Sequence, residues 1–251
     1  YYTRACNFYY GLQAKNLIKK KEALPLCGNK SLAFNHIEIL SRGEKNKLIH
    51  IKVIDSLEKK LKQVVQNDIK KIIAKRQNLS INLNFSEPLV MGVLNLTPDS
   101  FSDGGLFNQS NKAFLHIQNM INKGANIIDV GGESTRPGSK DVPPEIEWKR
   151  LKKIINNFKK KHPKIFLSID TRKSEVMVKA IENKSDLIND VSGFKYDNNA
   201  INKIKKFNIW KVLHHMQGTP NTMQINPKYK NVLFDIYDFF EKKLNTDFKK
   251  F

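Results

Sequence analysis

The sequence predicts an α/β protein: a (β/α)8 TIM barrel with its first five βα units present, preceded by a small α+β N-terminal segment. Two observations carry this. From residue 88 onward, short apolar runs at 89–94, 126–130, 165–169, 186–189 and 209–214 alternate with helical patterns. Such alternation gives parallel strands joined by right-handed crossovers. Each run also ends in residues suited to chemistry rather than packing: Asn95; Asp129 and then Gly131 to Gly138; Asp170-Thr171-Arg172; Asn189-Asp190; His214 to Gly218. Parallel strands bring these ends to one rim, the face on which barrels of this class carry their sites. A doubly wound sheet would concentrate ligand groups at one switch point, whereas here all five units contribute. A complete barrel has about 250 residues, so residues 88–251 are expected to be a fragment that lacks the last three units.

Residues 1–86 read as an N-terminal accessory segment and 87–251 as the barrel domain. In the first, 8–10, 23–26 and 32–40 are strand-like, the last alternating in part. Leu57, Leu61, Val64, Val65, Ile69, Ile72 and Ile73 recur at helical spacing and predict a helix over 55–76 with a lysine-rich solvated face, capped by Asp55 or Ser56. Asn78 to Glu87 reads as a polar, extended linker. In the barrel domain Ser110 is expected to cap a helix that ends at Gly124, and Pro143-Pro144 to open the next. Later helices are marked by Val176 to Ile181, Ala200 to Phe207 and Leu233 to Leu244.

Composition narrows the function. A net charge of +20 attracts anions of any kind. It is spread along the chain as lysine on helix faces, and no arginine-rich groove motif, ribonucleoprotein motif or zinc knuckle accompanies it. A phosphate-bearing small molecule is therefore expected rather than nucleic acid. No stretch reaches the roughly 18 apolar residues of a membrane span, and no signal-peptide pattern opens the chain. Cys6 and Cys27 are scattered in a polar region, which fits reduced thiols and a cytoplasmic protein. The His214-His215 pair has no third ligand at suitable spacing, so a structural or ligand-lining role for His215-Met216 is favoured over a metal site.

The densest stretch is Met91 to Gly105. A buried strand stops at Asn95, and the following loop carries Thr97, Asp99, Ser100, Ser102 and Asp103, with Pro98 and two glycines for turning. Phe101 among these oxygens suits a ligand lid better than a bare turn.

These residues resemble the dihydropteroate synthase family. Met91 to Gly105 is similar to its first signature and Gly124 to Gly138 to its second. Ser168-Ile169-Asp170-Thr171-Arg172-Lys173, Ile188-Asn189-Asp190-Val191-Ser192-Gly193 and His215-Met216-Gln217-Gly218-Thr219-Pro220 follow in the family's order. The resemblance covers about residues 88–235. It implies a folate-pathway transferase that joins para-aminobenzoate to (7,8-dihydropterin-6-yl)methyl diphosphate, releasing diphosphate and 7,8-dihydropteroate. It implies that Asp170 and Asn189 grip the pterin, with Met216 lining it. Asp170 can accept from two N–H groups, and Asn189 offers both a donor and an acceptor. It implies that Asn95 ligates Mg²⁺, that Asp103 adds a ligand or stabilises the developing cation, and that Arg136 takes a phosphate by a two-pronged contact. Thr135, Arg136 and Pro137, with Phe101, would close over the aminobenzoate. The family also implies a homodimer for the full-length protein, and later groups outside residues 1–251; this stretch alone is expected to show no measurable synthase activity. Two alternatives stay open. One is a methyltetrahydrofolate:corrinoid methyltransferase, which also holds a pterin with a strand-end Asp and Asn but has no diphosphate to bind. The other is a non-catalytic paralogue.

Overall fold

The computed structural model describes residues 1–78, 83, 85, 87–97, 106–134, 139–220 and 222–248, the side chains of 106–109 excepted. The chain divides into two compact units, Tyr1–Glu87 and Pro88–Phe251.

The first unit is an antiparallel sheet with two helices. Its elements are β1 (Tyr2–Tyr10), α1 (Gly11–Lys19), β2 (Leu24–Leu26), β3 (Asn29–Leu40), β4 (Lys47–His50) and α2 (Lys59–Ile73). The long β3 pairs with each of the other strands. Phe34, Ile37 and Ile39 of β3 pack with Ile54, Val65 and Ile69 into one core, so the apolar stripe of α2 closes on the sheet. One expectation needs correction. Asp55 and Ser56 do not cap α2, because both lie in a 3₁₀ turn, Ile51–Ser56, that precedes it. The Ser56 hydroxyl is used inside that turn, donating to the Val53 carbonyl at 2.7 Å. The short helix α1, not among the elements expected from sequence, buries Ala14 fully, and Leu17 and Ile18 pack in the same cluster.

The second unit is the first five βα units of a (β/α)8 barrel. Its strands are β5 (Met91–Asn95), β6 (Ile127–Gly131), β7 (Phe166–Asp170), β8 (Leu187–Asp190) and β9 (Trp210–Leu213). They form one sheet in sequential order, every described pair parallel. A doubly wound sheet reverses its order at the switch point; this one does not. Between and after the strands come α3 (Leu106–Asn122), α4 (Pro144–Lys161), α5 (Ser174–Glu182), α6 (Ala200–Ile204) and α7 (Val232–Thr246). Ile128, Val130, Leu167, Ile169 and Ile188 meet Ile117, Leu151, Ile154, Ile155, Phe158, Val176 and Met177 in a single core. Strands covered on both faces read as continuous apolar runs, and all five residues of β6 are buried.

The α4 start follows the sequence signal. Pro143 precedes the helix and Pro144 occupies its first turn, with acids there and lysines in the last turn, matching the macrodipole. The α3 start does not. The helix begins at Leu106, so Ser110 lies inside it rather than at its cap. Residues 106–109 include Leu and Gln and no glycine or proline, so nothing stops the helix from running that far.

Candidate active site at the carboxyl ends of the parallel strands

The strand register decides which side chains meet. Asn95 of β5 pairs with Gly131 of β6, Gly131 with Asp170 of β7, and Asp170 with Asn189 of β8. Partners in a parallel register point to the same face, so these four positions form one row across the open end of the sheet. Gly131 is the gap in that row. A Cβ there would lie 3.3 Å from Asn95 Oδ1 and 3.4 Å from Asp170 Oδ2. The glycine therefore lets the two oxygens lean toward each other over bare backbone. Asn95 is exposed, whereas Asp170 and Asn189 are half-buried.

Two residues deeper on the same face lie Asp129 and Ser168, again register partners. Both are buried. The Ser168 hydroxyl donates to Asp129 Oδ1 at 2.5 Å, and Asn189 Nδ2 donates to Asp129 Oδ2 at 3.0 Å. His214, just past β9, places Nε2 at 2.6 Å from Asn189 Oδ1. The row thus stands on a hydrogen-bonded floor that ends on one buried carboxylate.

Asp170 stands apart. Arg172, two residues on, turns away from it to Glu133 and Asp141. Burial pushes the Asp170 carboxyl up to about 7, and the neighbouring acids Asp129, Glu147, Asp190 and Glu133 push the same way. Burial also raises Asp129, though its bonds from Ser168 and Asn189 work against it. A half-buried acid raised by burial and by other acids, at a strand end, is a candidate functional position.

Next to the row lies an ionic cluster, buried at Arg172, Lys173, Glu133 and Glu147 and exposed at Asp141. Arg172 donates from Nε to Glu133 at 2.8 Å and from Nη2 to Asp141 at 2.7 Å. Lys173 bridges Glu133 at 2.8 Å and Glu147 at 2.7 Å. The Arg172 guanidinium stacks 4.0 Å over the ring of Tyr196, whose hydroxyl donates to Asp141 at 3.3 Å. Burial pushes the Glu133 carboxyl up, but bonds from Arg172, Lys173 and the Val142 N–H outweigh it and hold the group below its ordinary range. Glu147 is fully buried, and burial leaves its carboxyl raised despite Lys173.

The structure therefore brings together Asn95, Asp170 and Asn189 among the residues expected from sequence. Met216 is half-buried in the segment after β9. Phe101 and Asp103, and likewise Thr135, Arg136 and Pro137, lie outside the described residues. His215 packs its ring among Phe239, Tyr229 and Phe240, at centroid distances of 4.8, 5.9 and 6.4 Å. Among the described residues no group of three or more His, Cys, Asp or Glu is arranged to hold a metal. From sequence, Asp129 and His214 stand among the strand-end groups suited to chemistry and Ser168 lies in a family motif, but none of the three is assigned a site role. The two-residue spacing of Ser168 to Asp170 and of Asp129 to Gly131 was the available signal, because it puts each pair on one strand face.

Comparison with known proteins gives the family. Residues 91–247 match the pterin binding enzyme family. The chain is 40% identical over 163 residues to the dihydropteroate synthase of Haemophilus influenzae, a match covering 65% of this chain and 58% of that protein. It is 33% identical over 235 residues to the folic acid synthesis protein fol1 of Pneumocystis carinii, covering 88% of this chain and 32% of that one. The crystal structure of Yersinia pestis dihydropteroate synthase in a sulfonamide drug complex superposes with a TM-score of 0.61 at 38% identity, over 67% of this chain and 60% of that chain. The chain thus spans a little over half the length of the bacterial synthases it matches. With the matched region running from the first residue of β5 through the whole of α7, the chain belongs to the pterin binding enzyme family.

Proposed function

We propose that this chain carries the first half of a dihydropteroate synthase site. In that reaction the amine of para-aminobenzoate displaces diphosphate from the methylene of (7,8-dihydropterin-6-yl)methyl diphosphate. A C–N bond forms, a C–O bond breaks, and the amine loses a proton. The observation that carries the reading is the register pair Asp170 and Asn189, a carboxyl with no ion-pair partner among the described residues beside an amide fixed from below. A fused pyrimidinone ring presents alternating donors and acceptors along one edge. A buried site built to match that edge rejects analogues that lack it. Asp170 accepts from ring and amino N–H groups, and Asn189 supplies one donor and one acceptor.

Magnesium fits the open end of the row. Mg²⁺ takes oxygen ligands, keeps several waters and is held with substrate phosphates by one or two protein oxygens. Asn95 offers an exposed amide oxygen there, leaning over Gly131. Bound there, the ion would neutralise charge on the departing diphosphate. The residues of the chain do the rest in this reading. Asp170 and Asn189 orient the ring. Arg136 binds a phosphate oxygen. Asp103 stabilises positive charge at the methylene, and Phe101, Thr135 and Pro137 cover the aminobenzoate. Cys6 and Cys27 are free thiols, which supports a reducing, cytoplasmic setting.

Calorimetric titration with the dihydropterin diphosphate, with and without Mg²⁺, tests the proposal. Binding strengthened by Mg²⁺ is expected, with Asp170→Asn abolishing ring binding and Asn95→Ala abolishing only the Mg²⁺ effect. No binding at millimolar ligand would overturn the reading.

A further inference from the structure

A primary amide can sit either way round, and the two orientations present opposite donor and acceptor patterns to a ligand. For Asn189 the surroundings decide. Asp129 has one oxygen satisfied by the Ser168 hydroxyl and the other 3.0 Å from Asn189 Nδ2. A carboxylate only accepts, so the amide nitrogen faces Asp129 and the amide oxygen faces His214 at 2.6 Å. His214 must then carry its proton on Nε2. Ser168, Asn189 and His214 form one directed chain, every donor pointing toward the Asp129 carboxylate. Among the described residues nothing else takes the second N–H of Asn189 or the second lone pair of its oxygen, which lie next in the row to Asp170.

The imidazole is held where this requires it. Gly193, at φ +61°, approaches the His214 carbonyl so closely that a Cβ on it would come within 2.4 Å of the oxygen. The segment after β8 is thus seated directly on the backbone of residue 214. His215, the next residue, is anchored among the aromatic rings of α7 at 4.8 Å from Phe239. Both flanks of His214 are fixed, and its ring is left to serve Asn189.

We propose that His214 is a positioning residue: by donating Nε2–H to Asn189 it locks the amide the right way round, and so sets which edge of a ring ligand the site accepts. The ligand class, a 2-amino-4-oxo fused pyrimidine, rests on the synthase reading above; the locking of the amide does not. Replacing the donor leaves Asn189 held from the Asp129 side alone, which loosens the amide and blurs discrimination at the ring edge rather than abolishing folding.

The test uses ¹⁵N-labelled chain with two variants. His214→Gln keeps an N–H donor near the position of Nε2, and His214→Met keeps the bulk without the donor. NMR reads the His214 tautomer and the Asn189 side-chain amide, and thermal melts confirm that each variant folds. Fluorescence titration then compares pterin with lumazine, which carries an oxygen where pterin has its amino group. The expected wild-type result is the Nε2–H tautomer and a preference for pterin. Gln should keep the Asn189 amide signals and the preference within about threefold. Met should shift or broaden the amide signals and cut the preference about tenfold. An Nδ1–H tautomer, or a Met variant with unchanged amide signals and unchanged preference, would overturn the proposal. If the wild-type chain binds neither pteridine, the synthase reading is what fails, and the tautomer and amide signals alone decide the role of His214.

Discussion

Arg172 and Glu133 follow neighbouring strands, β7 and β6, and meet at 2.8 Å with both side chains almost fully buried. The other prong of the same guanidinium holds Asp141 at 2.7 Å. Glu133 also accepts from the Val142 N–H at 2.9 Å, and the Ser139 hydroxyl donates to the Ser134 carbonyl at 2.6 Å. The two ends of the stretch between β6 and α4 are thereby tied together and to β7. Removing one partner of a buried pair leaves an uncompensated charge, which costs about 3–5 kcal/mol. Arg172→Ala should destabilise the second unit by that amount, and Arg172→Met with Glu133→Met should recover most of it. Both tryptophans, Trp148 and Trp210, lie in the second unit, so urea unfolding followed by tryptophan fluorescence reads it selectively.

Ser168→Ala isolates the floor of the row. Asp129 would keep the Asn189 bond but lose its hydroxyl donor inside the core. A buried acceptor left short of a donor costs about 1–3 kcal/mol. The same urea measurement should show a loss in that range. The Asn189 amide NMR signals should persist, because Asn189 uses the other Asp129 oxygen.

Much of the second unit was legible because each of its levels agrees with the others. Apolar runs such as Ile127 to Val130 and Phe166 to Ile169 are buried on both faces, and Pro144 starts α4 where a proline is tolerated. Asn95, Asp170 and Asn189 stood out as polar residues closing apolar strands. What stayed hidden depends on register. That Gly131 is the gap between Asn95 and Asp170 follows from pairing across β5, β6 and β7, and no local pattern encodes pairing. His214 and His215 are adjacent and chemically identical, yet one serves Asn189 and the other fills an aromatic cluster. Only the direction of each side chain past the end of β9 separates them. In the first unit, α1 stayed hidden because it is only nine residues long, too short for its few packed apolar residues, Ala14, Leu17 and Ile18, to repeat over several turns.

Gly193 and Gly11 make a controlled pair. Both have positive φ, +61° and +56°. A Cβ at Gly11 meets nothing within 4 Å, whereas at Gly193 it collides with the His214 carbonyl. Gly11→Ala should cost only the left-handed backbone penalty, about 1 kcal/mol. Gly193→Ala adds a backbone clash and should cost more than about 2 kcal/mol. It should also displace His214, so the Asn189 amide signals should move in this variant and stay fixed in Gly11→Ala.

Asp170 makes the sharpest pH prediction. Its folded carboxyl titrates near 7 because of burial and the acids around it, against about 3.9 when unfolded. Between those values the folded state holds a proton that the unfolded state has lost, so stability falls as pH rises. Below about pH 4 both states are protonated and the residue is neutral in effect; above about pH 7 the full penalty is present. The shift corresponds to about 4 kcal/mol at 1.36 kcal/mol per unit, reduced by the residue's partial exposure to about 2–3 kcal/mol. Asp129 and Asp190 are raised too, and Glu133 is lowered, so the wild-type curve alone mixes several groups. The difference between wild type and Asp170→Asn isolates one. That difference should be near zero at pH 4 and should grow in favour of the variant up to about pH 8. A ligand that donates N–H groups to this carboxylate would relieve the same strain, so the more stable variant should be the one that binds the ring worse. Flat difference curves from pH 4 to 8, read by tryptophan-monitored urea unfolding, would show that Asp170 is ionised at no cost and is not poised to receive a ligand.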